Sequence, residues 1–171
     1  MTITILPAQA HHAAHLPEVE RSAGEAFGQV PGLEWIADDA VMSEAAHRCA
    51  IEAGTVWVAV GADDKVLGFL NAGQQEEILH IWEIAVVAGM QGRGIGTQLL
   101  RQAEGHARSL GLVSVTMTTF RDVTFNAPFY RRQGYRELDA DALPAHLAEI
   151  LRNEAAAGLP VSRRCAMQKA V

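Results

Sequence analysis

Cysteine is scarce, basic residues are outnumbered, and long apolar runs are absent from this chain of 171 residues. The two cysteines, Cys49 and Cys165, lie far apart with no CxxC or Cys/His spacing, which argues against a disulfide framework or a zinc ligand set. Each reads instead as a small buried apolar side chain. Fourteen Lys and Arg against twenty Asp and Glu leave a formal charge of −6. Gripping nucleic acid without regard to sequence needs the opposite, clustered cations that displace counterions, so nucleic acid is not an expected partner and a cationic substrate is compatible. The only dense basic spots, Arg131 with Arg132 and Arg163 with Arg164, read as solvated surface. No stretch approaches the roughly 18–20 apolar residues that cross a bilayer. The opening MTITILPAQA has no basic flank before its short apolar run, so neither a membrane partner nor a signal peptide is expected and a cytoplasmic location is. His11 and His15 stand four apart, but no third ligand or HExxH pattern accompanies them. We therefore expect His11, His12 and His15 to face solvent on a helix, and no metal.

What the chain does have is enough apolar sequence, 49%, to bury one sizeable core, and a length that suits a single domain over 1–171. TITIL alternates as a short strand. Apolar positions then recur at helical spacing over about 9–28 and 39–53, with the turn-like VPGLE between them. TVWVAVG (55–61) and VLGFLNAG (66–73), joined by ADDK, read as an antiparallel hairpin. ILHIWEIAVV (78–87) reads as a central strand. Beyond it, Ile95, Leu99, Leu100, Ala103, Ala107 and Leu110 mark a helix that stops at Gly111. LVSVTMTTF (112–120) is a further strand, FNAPFYRRQ a short helix and YREL a short strand; 143–157 forms another helix, and SRRCAMQK closes as a strand.

Between the central strand and its helix lies QGRGIG, residues 91–96, with three glycines in five positions. The first N–H groups of a helix have no internal partners, and with the aligned peptide dipoles they attract an anion. Glycines let phosphate oxygens approach them. The P-loop form GxxxxGK[ST] does not fit, because no Lys follows, and the Rossmann form GxGxxG does not fit the GxGxG spacing found here. Some ninety residues of helix and hairpin precede the element, whereas a Rossmann domain normally begins with it.

The hexapeptide Gln91–Gly96 resembles the Q/R-x-x-G-x-G/A signature of the GNAT superfamily of acetyl-CoA-dependent N-acetyltransferases. NAPFYRRQGY (126–135), about 35 residues on, resembles that superfamily's second hallmark, an aromatic pair on a short helix followed by Gly and an aromatic. The order of elements is similar over essentially the whole chain. One position departs: many members carry Asn seven residues before the Tyr, where this chain has Val123, its own Asn126 standing four before. The resemblance implies an α/β fold with a mixed, largely antiparallel central sheet flanked by helices, its fourth and fifth strands splayed. It also implies acetyl-CoA as donor, held by Gln91, Gly92, Arg93, Gly94, Ile95, Gly96 and Thr97, by the backbone of Ala85, Val86 and Val87, and by Asn126 and Phe129.

Acetyl transfer then makes its own demands. An amine with a pKa of about 10.4 is protonated at neutral pH and must lose a proton to attack, while a thiol of pKa about 8.5 departs more easily if protonated. The resemblance implies Tyr130 as the acid; the alternative is an aromatic that packs beside Phe129. Glu83, a carboxylate inside an apolar strand, is conspicuous because burying a charge is costly unless it is paired or faces a wet cleft. It is the candidate base, directly or through water, the alternative being a carboxylate satisfied by a hydroxyl or Arg of a neighbouring strand. Alternation puts His80 on the other face unless a bulge shifts the register. Glu25, Phe27, Trp35, Asp38 and Asp39, from the early helices and loops, suit a small cationic amine acceptor or an ordinary solvated face. A protein N-terminus or lysine as acceptor, and a non-catalytic acyl-CoA sensor, stand as alternatives. The closing strand could pair across a homodimer.

Overall fold

The computed structural model describes residues 2–171. Seven strands form one mixed sheet in the order β1-β2-β3-β4-β5-β7-β6, with β1 Thr4–Pro7, β2 Val56–Val60, β3 Val66–Gln75, β4 Ile78–Val86, β5 Ser114–Phe120, β6 Arg136–Glu137 and β7 Arg164–Ala170. The helices are α1 Leu16–Gly24, α2 Glu44–Glu52, α3 Ile95–Ser109, α4 Ala127–Arg132 and α5 Ala145–Ala156. None is long and apolar enough to cross a membrane. The hairpin, the glycine-led helix and the closing strand expected from the sequence are all present. Pairing is antiparallel except at β4 and β5, whose parallel ladder has four pairs, from Ile78↔Ser114 to Ile81↔Met117, although β4 runs on to Val86 and β5 to Phe120.

The contacts divide the chain into two compact units. The first comprises the chain to Gln74 and Trp82–His106. On one face of its strands Val56, Val58 and Val60 of β2, Phe69 of β3 and Ala85 of β4 form a core with Leu16 and Val19 of α1 and Ile51 of α2. Alternation supplies this face: every second residue of β2 points inward, and Glu83, two before Ala85, belongs to the same side of β4. Gly68 allows the close approach of β3 to β4, since a Cβ there would lie 2.8 Å from the Ala85 carbonyl oxygen. The second unit comprises Gln75–Ile81 and Ala107–Val171. In it β7 is inserted between β5 and β6, and α5 packs on β5 and β7.

Several expectations are corrected. The continuous helix over 9–28 is a 3₁₀ segment, Ala10–His15, then α1, then a second 3₁₀ segment, Glu25–Gln29. Pro17, which has no N–H to give, occupies the first turn of α1 and resets the helix there. The helix expected from 39 begins at Glu44, because the Ser43 hydroxyl caps it, accepting the Ala46 N–H at 3.2 Å. His12 is buried rather than solvent-facing, its Nδ1 accepting the Gln9 N–H at 2.9 Å, whereas His11 and His15 are exposed. Cys165 is buried, but Cys49 lies on the exposed side of α2. The basic pairs are not simply solvated: Arg131 reaches Glu137 at 2.7 Å, Arg163 reaches Asp122 at 2.9 Å and Arg164 reaches Glu154 at 2.8 Å.

Replacing Gly68 by Ala drives a methyl group into the Ala85 carbonyl. A loss of about 1–3 kcal/mol in unfolding free energy, typical of overpacking, should appear as a lowered denaturant midpoint with an unchanged slope.

Candidate functional site

The connection from β4 to α3 is built from backbone. Met90 closes a 3₁₀ turn onto Val87, and Gly92 and Gly94 adopt left-handed φ values of 73° and 82°. Side chains rarely take that conformation, so the turn itself demands two of the three glycines. Their Cβ positions open onto space with no atom within 4 Å. Hydrogen bonding of α3 starts at the Gln98 N–H, which donates to Gly94. Among the described residues no acceptor meets the N–H groups of Gly92, Arg93, Gly94, Ile95, Gly96 or Thr97. Ile95 is anchored in the core by its side chain, while Gly92, Arg93 and Gly94 are exposed and Gly96 and Thr97 partly buried. A helix start with this many open donors attracts an anion.

Three contacts hold the end of β4 beneath that turn. The Val87 N–H donates to the Leu67 carbonyl at 3.0 Å, the Ala88 N–H donates to the Ser22 hydroxyl of α1 at 3.1 Å, and the Gln91 side-chain amide donates to the Val86 carbonyl at 3.0 Å. Since Val87 bonds toward β3, alternation turns the Val86 N–H to the opposite edge of the strand. Ala85 is buried in the core.

Glu83 lies partly buried on the face covered by α1. No hydroxyl or cation of the described residues bonds its carboxylate. Burial, and then the charge of Glu20, push its pKa up to about 8. Glu20 of α1 is itself raised by burial, opposed by the Met42 N–H that it accepts at 3.0 Å and by Arg21. Its Oε2 stands 3.4 Å from Nε2 of His47, a buried ring set edge-on to Phe69. His80, in the second unit, has its Nδ1 2.9 Å from the Thr116 hydroxyl, and burial lowers its pKa to about 4. Glu20 and His47 were not singled out from the sequence. His47 had a signal: with Ile51 it repeats at i, i+4 on the apolar side of α2.

In the second unit Tyr130 is buried on α4, packed edge-on against Phe129 and Tyr135. Burial pushes its phenol well above the ordinary value, with Arg164 pulling the other way, so at neutral pH it holds its proton. Arg164 lies over the Phe120 ring, and Glu154 accepts from both Arg164 and the Thr118 hydroxyl. Asn126 precedes α4 with φ −112° and ψ −116°; its Oδ1 is buried without a hydrogen-bond partner. Val123 is a buried apolar residue.

A model described as the acetyltransferase (GNAT) family matches residues 21–135. A blasticidin-S acetyltransferase of Streptomyces morookaense is 36% identical over 80 residues, covering 46% of this chain and 57% of that protein. The chain thus spans little more than half the length of this curated relative. Among solved structures, the PaiA N-acetyltransferase of Thermoplasma acidophilum in complex with coenzyme A aligns over 100% of both chains, at TM-score 0.77 and 18% identity. The ribosomal-protein-S18-alanine N-acetyltransferase of Escherichia coli aligns over 99% of this chain and 94% of its own, at TM-score 0.68 and 13% identity. These likenesses carry the fold.

A carboxyl that keeps its proton to about pH 8 when folded, against roughly 4.5 when unfolded, makes the folded state the better proton binder across that window. Stability therefore falls as pH rises through it. Glu83→Gln should remove that decline, so denaturant midpoints of variant and parent should match near pH 5 and the variant should be the more stable near pH 9.

Proposed function

The chain belongs to the GNAT acetyltransferase family, and we propose that residues 1–171 serve as one N-acetyltransferase domain that moves an acetyl group from acetyl-CoA to a primary amine. The observation that carries this reading is the row of open N–H groups from Gly92 to Thr97 at the start of α3. It fits a diphosphate in charge, donor number and clearance over Gly92 and Gly94. Acetyl-CoA would bring that diphosphate and an acetyl group activated as a thioester.

In this reading Arg93 adds a cation to the phosphate site and Thr97 a hydroxyl, while Gln91 locks the turn to Val86. Ile95 fixes the helix start in the core. The Val86 N–H, directed away from β3, is a donor for the donor substrate's acyl or amide oxygens, with Ala85 and Val87 holding the strand rigid on either side. Asn126 contributes its unpartnered Oδ1, and Phe129 an apolar wall. Glu83 takes the proton that the acceptor's ammonium must shed, as a base whose pKa near 8 is matched to that task. The amine nitrogen bonds the acetyl carbon and the carbon–sulfur bond breaks; Tyr130, protonated at neutral pH, gives its proton to the departing sulfur, and the second proton that the nitrogen sheds in becoming an amide restores the phenol, directly or through solvent. Attack is direct, with both substrates bound.

A small-molecule amine is the favoured acceptor. The Streptomyces relative, named for blasticidin-S, supports it, as does an acidic chain with an uncompensated carboxylate at Glu83. Thiol release from acetyl-CoA, followed with a panel of small amines, amino acids and peptides, tests the reading. Acceptor-dependent release with small amines is expected; release with peptides alone would make the acceptor a protein, and binding without release would make the chain a sensor.

Two further outcomes follow. Tyr130→Phe should cut turnover by roughly a hundredfold or more while calorimetry gives nearly unchanged acetyl-CoA affinity. In the parent, kcat/KM should rise with pH to a limb centred near 8, and Glu83→Gln should abolish that limb; a full-activity Glu83→Gln enzyme with the same profile would assign deprotonation to water.

A further inference from the structure

We propose that Glu20 and His47 are positioning residues for the reaction: a carboxylate fixed by the Met42 N–H and backed by a buried imidazole, on the helix that covers the Glu83 side of β4, setting the pH at which Glu83 becomes a base. The inference rests on the reading of Glu83 given above.

The geometry comes from packing. Leu16, Val19 and Ala23 of α1 lie in one apolar cluster with Ala85 and Val87, and Ser22 accepts the Ala88 N–H at 3.1 Å. α1 is thereby fastened along the face of β4 that carries Glu83, and Glu20 occurs within that fastened stretch, between Val19 and Ser22. Its carboxylate does not wander: one oxygen, Oε2, accepts the Met42 N–H at 3.0 Å and is 3.4 Å from Nε2 of His47.

The imidazole is the less ordinary half of the pair. Its side chain is 1% exposed, and Nε2 has no hydrogen-bond partner within good geometry. A buried polar nitrogen left in this state costs stability unless a nearby group engages it, and the nearest acceptor is the Glu20 carboxylate. Burial lowers the pKa of His47, so it stands neutral beside the carboxylate and brings no positive charge.

Other charges around Glu83 offset the pair little, Arg21 being the last of the three influences on Glu20. On α1, Arg21 is taken by Glu18 at 2.6 Å on the exposed side. On α2, Arg48 pairs with Glu44, both largely exposed. β2 and β3 present Val56, Val58, Val60 and Phe69 to this core. Glu20 is thus the charge that Glu83 meets. Two carboxylates in one low-dielectric site titrate as a pair, the second proton being held to higher pH. The direction agrees with the upward displacement of Glu83, to which Glu20 contributes after burial. An acceptor arriving as an ammonium ion relieves the same repulsion.

The test needs no acceptor. Protein labelled with carboxyl-13C glutamate is titrated by NMR, and the Glu83 signal is identified by its loss in Glu83→Gln. The parent should titrate near pH 8. Glu20→Gln should move the Glu83 midpoint to lower pH by roughly half a unit or more, about a threefold change in proton affinity. Glu20→Asp, which keeps the charge, should stay closer to the parent. In a His47→Leu background, Glu20→Gln should shift the midpoint less, because the carboxylate has lost the ring that backs it and keeps only the Met42 N–H. An unmoved midpoint in Glu20→Gln overturns the proposal and leaves the base role of Glu83 standing; an equal shift with and without His47 removes the imidazole from it. The base role fails separately, if the acid limb of acetyl-CoA-dependent turnover survives Glu83→Gln.

Discussion

A helix cannot satisfy its own first amides, and here the backbone has been shaped so that nothing else in the chain does so either. Left-handed glycines at 92 and 94 swing the chain out of β4 and into α3, and six consecutive N–H groups stay open. Much of the first unit can be understood as support for that turn. The Gln91 amide ties it back to Val86, Ser22 of α1 holds Ala88, and Leu67 of β3 holds Val87. Ile95 sinks its side chain into the core directly beneath the open donors. A rigid frame matters because a fixed dipole stabilises charge without having to reorganise when the charge arrives.

The carboxylate on β4 shows the opposite economy. An ion pair would stabilise Glu83 and hold it ionised at any physiological pH, which would also make it a poor proton acceptor for an ammonium group. Burial on the α1 face without a cation leaves it less stable and more basic. Functional sites are where proteins tolerate such local conflict. The second unit solves a similar burial with full compensation: Arg164 is partly buried too, but Glu154 and the Phe120 ring meet it.

Much of this was legible in the sequence because the signals were periodic or punctuated. β2, β3 and α3 follow from alternation, from helical spacing and from Gly111, whose φ of 70° ends α3 as a left-handed stop. QGRGIG was recognisable by spacing alone, though the reason for two of its glycines lies in their φ values, which no pattern displays. The early helices were misjudged because apolar spacing does not separate α from 3₁₀ geometry; Pro17 and the Ser43 cap decided the boundaries. Glu83 was conspicuous in an apolar strand. Glu20 was not, since a glutamate on an amphipathic helix resembles every other one until α2 brings His47 beside it. Arg164 likewise looked like surface until α5 delivered Glu154.

The place of β7 reaches beyond the folded state. It is the latest strand in the chain, yet it lies between β5 and β6, pairing with β5 over its full length and with β6 at Arg136 and Glu137. While the ribosome is still synthesising residues 164–170, β5 has one bare edge and β6 has no neighbour at all. Those long-range pairings carry a loop-closure cost that local ones do not. The nascent chain must therefore keep an open β-edge from joining another chain until residues 164–170 have emerged.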